Sequence, residues 1–492
     1  MAYFARSLCC CLLFGSLALT HAVAAAASPS NRKDSAALES QKKSATASST
    51  SASRAATSAI TPAKADYRAV HDSAIVVDTH ADTPMRFADD SFDPGSDAGR
   101  GHWDLAKARA GNLGVEFFSI WVEPSKNKDH AAHRALDMID SVYRVVAAHP
   151  GQLALASGTK EIRALRTGPH KKIAILMGIE GGHAIENDLS ILRNYYRLGA
   201  RYMTMTWANS TEWAQSSGDL PKPDPETGRV KDPGLNDFGR QIVREMNRIG
   251  MMVDVSHVSD RTFYHTLTVS RAPVIASHSS SRALTNSPRN MTDEMLVALA
   301  RSGGVAMVNF NCGFLSDDYN KRSADYWRDH PQEITRYRDL YRKYMEDKSQ
   351  VAFSQLQEFE AALNRDVPRP PFSVLVDHID HIAKVAGVDH VGIGSDFDGV
   401  PCMPQGMNSV ADLPKITEAL LQRGYTSEQV HKILGGNLLR VFADVERVSR
   451  ELASEKPMDM RREVKMPEQS DEPKPKQPDA AKPEAPKKEE PK

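Results

Sequence analysis

Six side chains in this sequence have the types and spacing needed to hold divalent cations and use them. The run Val76-Val77-Asp78-Thr79-His80-Ala81-Asp82 closes an apolar stretch with an imidazole and a carboxylate two residues apart. Side chains alternate along a strand, so His80 and Asp82 point the same way and can meet one ion. Ile175-Leu176-Met177-Gly178-Ile179-Glu180 carries a carboxylate to the end of another apolar run, where an uncompensated charge is costly. Val253-Asp254-Val255-Ser256-His257 and Val274-Ile275-Ala276-Ser277-His278 each end on an imidazole, and Gly392-Ile393-Gly394-Ser395-Asp396 ends on a further carboxylate. Singly, each reads as well as a solvated strand end. Three histidines and three carboxylates at comparable positions do not.

Ligand counting divides the work. Two cations a few ångströms apart need a shared anion, and Glu180 can bridge them through its two oxygens. His80 and Asp82 then complete one ion's protein ligands, and His257 and His278 the other's. Imidazole and carboxylate without cysteine suit Zn²⁺ best, with Mn²⁺ or Co²⁺ able to substitute. Such a pair acidifies a bridging water towards neutral pH. Asp396 is left as the residue to orient that water and carry its proton to a leaving amine. No Gly-x-Ser-x-Gly elbow offers a serine nucleophile instead.

The elements that must position these groups are eight short apolar runs: 74–78, 113–122, 172–178, 200–207, 251–256, 273–277, 304–310 and 390–395. Most are near-continuous rather than alternating, as parallel strands covered on both faces should be. Amphipathic helices are expected over 236–249 and 374–385, and a closing helix over 437–448. Strands interleaved with helices predict an α/β fold, a (β/α)8 TIM-like barrel, whose chemistry sits at the C-terminal ends of the strands. A doubly wound sheet is the rival, but no Gly-x-Gly-x-x-Gly turn follows the first strand. The charged, aromatic stretch 315–371 reads as a helical insertion over the barrel mouth.

Composition bounds the rest. The 492 residues hold 62 Lys plus Arg against 63 Asp plus Glu, a net charge of -1, so no electrostatic case exists for a nucleic-acid partner. Residues 1–27 have a positive start, a short apolar core and an Ala22-Val23-Ala24 cleavage site, the form of a signal peptide, so an exported, periplasmic or secreted protein is expected, with no transmembrane span in the mature chain. Residues 28–64, rich in Ala and Ser, read as a disordered linker, 65–453 as the folded domain, and 454–492, rich in Lys, Pro and Glu, as a second disordered tail. Cleavage leaves two cysteines, Cys312 and Cys402, either free or paired.

The ordered set of motifs resembles the membrane dipeptidase (renal dipeptidase) family of zinc metallopeptidases, within the metal-dependent hydrolases. The resemblance runs over about 67–448, through Asp78-Thr79-His80-Ala81-Asp82, Glu180-Gly181-Gly182-His183, Arg201-Tyr202-Met203-Thr204-Met205-Thr206, Asp254-Val255-Ser256-His257, Ser277-His278-Ser279-Ser280, Arg289-Asn290 and Gly394-Ser395-Asp396-Phe397-Asp398-Gly399. It implies two zinc ions on His80, Asp82, bridging Glu180, His257 and His278, and a catalytic Asp396. Metal-held hydroxide would attack the peptide bond of a dipeptide, including one with a C-terminal D-residue. It also implies that Arg289 binds the substrate's C-terminal carboxylate, for which a guanidinium fork is suited. One departure stands out: Trp207 occupies the position where mammalian members carry a substrate-contacting histidine. That keeps open a related hydrolysis, of acyl-amino acids or lactones, and a non-catalytic exported binding protein remains the outside alternative. His183 reads as structural, and Asp398 as a substrate-orienting or turn-capping residue. The mammalian disulfide pattern is not evident, so a homodimer is left open and a linked one is not implied.

Overall fold

The computed structural model describes residues 66–96, 101–128, 130–346 and 353–457. The expected leader and linker, and all but the first four residues of the expected tail, lie outside the described residues. Among the described residues nine strands form: β1 Val76–Ala81, β2 Leu113–Trp121, β3 Leu153–Leu155, β4 Ile173–Glu180, β5 Ala200–Thr204, β6 Met252–Asp254, β7 Ile275–Ala276, β8 Val305–Val308 and β9 Val391–Ile393. All pair in parallel, in the order β1-β2-β4-β5-β6-β7-β8-β9, with β3 attached beside β4. Beyond β9 the ring returns to β1: the Asp82 N–H donates to the Phe397 carbonyl (2.8 Å) and the Asp396 N–H to the His80 carbonyl (3.0 Å). The product is a nearly closed eight-stranded TIM-like barrel, as expected.

Two strand expectations shift. The first strand extends to Ala81 rather than ending at Asp78, which places His80 inside it. The expected strand over 273–277 shrinks to Ile275–Ala276 because the Asp254 carboxylate takes the Ser256 and Ser277 backbone N–H groups (3.0 and 2.8 Å) out of the ladder. The extra strand, β3, has three residues and no periodic signal of its own; pairing with β4 creates it.

The barrel interior is filled by Val77, Val115, Phe117, Leu176, Tyr202, Met252 and Met307, one buried cluster shared with Leu438, Val441 and Phe442 of the closing helix Asn437–Glu451. That helix therefore plugs the end opposite the site. The helix Asp237–Ile249 follows its sequence pattern: the Asn236 side chain accepts from the Gly239 N–H, and Phe238, Ile242, Val243 and Met246 are buried. Burying four such side chains, about 1.5–3 kcal/mol each, outweighs the cap at about 1 kcal/mol.

The insertion folds as the helices Asp317–Asp329, Pro331–Glu346 and Phe353–Asp366 around Trp327, Tyr337, Tyr344 and Phe359. It leaves from the C-terminal side of β8 and reaches Asp90, at the end of the helix that follows β1, through the Tyr344 hydroxyl (3.3 Å). It thus stands on the β8–β9–β1 side of the rim. Cys312 and Cys402 are joined in a disulfide with Cα atoms 5.4 Å apart, which ties the root of the insertion to the loop after β9. Among the described residues no helix is long and apolar enough to cross a membrane.

Candidate metal centre

Register places the site. Trp121, Glu180, Thr204 and Asp254 are Cα partners across four adjacent strands, so the Glu180 carboxylate stands level with the last turn of the ladder. His257 and His278 follow a few residues beyond their strand ends, and His80 enters from the opposite wall. A Cβ at Gly178 would collide with the Tyr202 ring, so that glycine lets the ring lie across the barrel floor and its hydroxyl reach His80.

The Glu180 oxygens are divided between two sets of partners. Oε2 lies 3.3 Å from His80 Nε2, which is itself 3.6 Å from Asp82 Oδ2. Oε1 lies 3.1 Å from His257 Nε2 and 3.6 Å from His278 Nε2. Ser119 donates to Oε2 (3.0 Å) and steadies the carboxylate. His80, Glu180 and His278 bring their ligand atoms within 4.8 Å of one another, and so do His80, Asp82 and Asp396. The fold therefore gathers all five expected ligands and Asp396 into one pocket.

The donor set fits divalent cations on three grounds. His80 Nε2 is fully buried and has no hydrogen-bond partner among the described residues. The Nε2 atoms of His257 and His278 approach to 2.9 Å while both face the Glu180 carboxylate. A Cβ at Gly399 would collide with Asp82 Oδ2 and Asp396 Oδ1, so the chain keeps that space for carboxylate oxygens. His80, Asp82, Glu180, His257 and His278 would supply the metal ligands.

Electrostatics divides the pocket in the same way. Burial, reinforced by Glu180, pushes Asp82 up to about 7. Burial works against a protonated His80, but Tyr202 and then the Glu180 and Asp82 carboxylates outweigh it and hold its pKa well above the usual value. On the far side, burial and then Arg289 push His257 down to about 3, and burial holds His278 well below its usual value. Glu180 is held ionised, against its burial, by the imidazoles around it.

Asp396 receives the Asn309 amide (2.8 Å) and adopts φ 66°, in the left-handed region that costs about 1–3 kcal/mol outside glycine. His257 (φ 67°) and Asp398 (φ 62°) share that conformation, so strained backbone gathers at this rim. Arg289 is nearly buried; its guanidinium donates to the His278 carbonyl (3.1 Å) and Ser279 Oγ (3.3 Å), beside the histidine pair. The Trp207 ring packs tilted against Trp121 (4.9 Å between centroids) and lies 6.4 Å from His257, so the departing residue lines the site.

Two other residues fall outside the pocket. His183 donates from Nε2 to the Val122 carbonyl (2.8 Å), a structural role as expected. Asp398 turns away, accepting from Thr83 Oγ1 (2.8 Å) and the His102 N–H (2.6 Å) with Arg86 at 3.5 Å; it pins the loop carrying Asp396 to the segments after β1. Sequence reasoning passed over Ser119, Tyr202, Asp254, Ser277 and Asn309. Asp254 and Ser277 were signalled by standing in the same runs as His257 and His278, and Tyr202 by the motif 201–206; Ser119 and Asn309 had no signal.

The barrel and its carboxylate-bridged histidine pocket define a metal-dependent hydrolase. A family model described as membrane dipeptidase (peptidase family M19) matches residues 64–456. An uncharacterised dipeptidase of Schizosaccharomyces pombe is 34% identical over 400 residues, covering 77% of this chain and 82% of that protein. The probable dipeptidase PvdM from Pseudomonas aeruginosa has a similar structure, with a TM-score of 0.63 at 26% identity over 78% of this chain and 98% of its own. So has a metallopeptidase from Rhodobacter sphaeroides liganded with a phosphinate mimic of the dipeptide L-Ala-D-Ala, with a TM-score of 0.59 at 26% identity over 75% and 99%. The chain belongs to the membrane dipeptidase family and is a metallopeptidase of that class.

Proposed function

We propose that this protein is an exported, binuclear zinc dipeptidase that cleaves dipeptides, including those with a C-terminal D-residue. The observation that carries the reading is Glu180, whose two oxygens face different histidine sets, the arrangement a bridging carboxylate needs. Imidazole and carboxylate ligands without thiolate favour zinc. When bound, the ions supply Lewis acidity to the scissile carbonyl and lower the pKa of water into the neutral range.

This chain's residues do the rest. Asp396, held by Asn309 and placed beside Asp82, takes a proton from the attacking water and passes it to the departing amine. Arg289, beside His278, binds the substrate's free carboxylate and limits the substrate to two residues. The phosphinate mimic held by the Rhodobacter sphaeroides structure supports a D-residue at the second position. Export is supported by the leader-like start of the chain and by the Cys312–Cys402 disulfide, a bond that persists in oxidising compartments.

A panel of L,L- and L,D-dipeptides, N-acyl-amino acids and lactones, run on zinc-loaded and chelator-treated enzyme, tests the reading. Dipeptide turnover that vanishes with chelator, at about two zinc ions per chain, is expected. Absence of dipeptide turnover by the zinc-loaded enzyme overturns it. Turnover of acyl-amino acids or lactones alone would favour the second reading, which the Trp207 wall beside His257 keeps specific.

A further inference from the structure

We propose that two buried hydrogen-bond relays, Asp254–Ser277–His278 and Thr79 carbonyl–Tyr202–His80, keep a hydrogen on Nδ1 of both histidines, so that Nε2 is the nitrogen each offers to a bound cation. Asp254, Ser277 and Tyr202 are then positioning residues for cation retention. The inference rests on the reading of His80 and His278 as metal ligands. A neutral imidazole carries its proton on one nitrogen only, and the partner of the outer nitrogen decides which.

The stronger relay ends on Asp254. This fully buried carboxylate is surrounded by donors: the Ser256 N–H (3.0 Å) and Ser277 N–H (2.8 Å) on Oδ1, and the hydroxyls of Thr204 (2.5 Å) and Ser277 (2.6 Å) on Oδ2. Four donors fill the acceptor positions of its two oxygens. The Ser277 hydroxyl proton is therefore committed to Asp254 in a short bond of 2.6 Å. Its oxygen has only a lone pair to offer His278 Nδ1 at 2.8 Å, so Nδ1 carries the hydrogen and Nε2 is left bare towards Glu180.

The second relay has the same logic with a backbone carbonyl at its end. Tyr202 donates its single hydroxyl proton to the Thr79 carbonyl (3.0 Å), which can only accept, and presents a lone pair to His80 Nδ1 (2.8 Å). His257 has no counterpart: its Nδ1 is buried without a partner among the described residues, and it is held through its backbone carbonyl by Ser216 and Ser217. Outer partners of this kind fix ligand orientation and basicity, and their loss typically weakens metal binding about 10–100-fold.

Zinc itself is the probe. Metal-stripped wild type and the Ser277→Ala, Asp254→Asn and Tyr202→Phe variants would be titrated with Zn²⁺ against a competing chelator, with circular dichroism reporting folding. The expected result is about 10–100-fold weaker binding of at least one ion in Ser277→Ala and Asp254→Asn, and a smaller loss in Tyr202→Phe. Folded Ser277→Ala and Asp254→Asn proteins with wild-type zinc affinity overturn the relay alone. A wild type that binds no zinc overturns the metal reading, and the relay with it. ¹⁵N-histidine NMR of metal-free wild type needs no variant beyond His278→Ala for assignment. It should show His278 protonated at Nδ1, and an Nε2–H tautomer there overturns the proposal even if the relay variants fail to fold.

Discussion

The two halves of the pocket share Glu180 and little else. The β1 half sets one imidazole, His80, among Asp82 and Asp396, and Tyr202, Glu180 and Asp82 together raise it against its own burial. The half beyond β6 and β7 holds two imidazoles with Arg289 alongside, and burial together with that guanidinium keeps His257 neutral down to about pH 3. One side attracts cations and the other is ready to coordinate without a proton to displace. Under the proposed function, such a gradient would orient a zwitterionic dipeptide, carboxylate towards Arg289 and ammonium towards the acidic wall. A single symmetric cluster would bind metal equally well and give no such direction.

Removing what the halves share should have the largest effect. Glu180→Gln leaves the other four ligand side chains without their common anion; turnover should fall by about 10²–10³-fold or more, with zinc per chain reduced by elemental analysis. Retention of both ions in that variant would mean that the halves bind independently. Within the β1 half, Asp396→Asn should keep its zinc and lower kcat about 10²–10⁴-fold with little change in KM. Wild-type turnover would remove Asp396 from proton transfer. On the opposite side, Arg289→Ala should raise KM for dipeptides about 10–100-fold and leave kcat within a few fold, and an unchanged KM would reassign the residue.

The smallest effect lies outside both halves and serves as their control. Glu360, in the insertion, is pushed up to about 8 by burial, against the Tyr337 hydroxyl that donates to it at 3.0 Å. With its folded pKa above the unfolded value, the neutral carboxyl stabilises the folded state fully below about pH 4.5, and that contribution is lost as pH rises through about 8. Stability against urea should fall as pH rises across this window, by at most about 1.4 kcal/mol per pH unit, and Glu360→Gln should flatten the slope without touching zinc content. An unchanged slope would place the pH dependence elsewhere.

Much of this is legible along the chain because it is local. A residue's distance from the end of an apolar run decides whether it reaches the rim, so His80, Asp82, Glu180, His257, His278 and Asp396 stand out. Periodicity of 3.6 placed the faces of 237–249 and 437–451 within a few residues. The misses are non-local. β3 exists only because β4 offers an edge, and β7 is short because a side chain three residues before His257 claims its backbone donors.

By itself, then, the sequence determined the chemical inventory and the level at which each group is delivered: which residues are basic, acidic or apolar, and how far each lies from the end of its strand. Only closure of the barrel decided who meets whom. It set Glu180 Oε2 on His80 and Oε1 on His257 and His278, tied Tyr202 to His80 across 122 positions, and joined Cys312 to Cys402. The reason is physical: strand period and hydrophobicity act over a few residues, whereas ligand sharing and tautomer choice depend on ångström distances between strands whose separation in the chain carries no directional information.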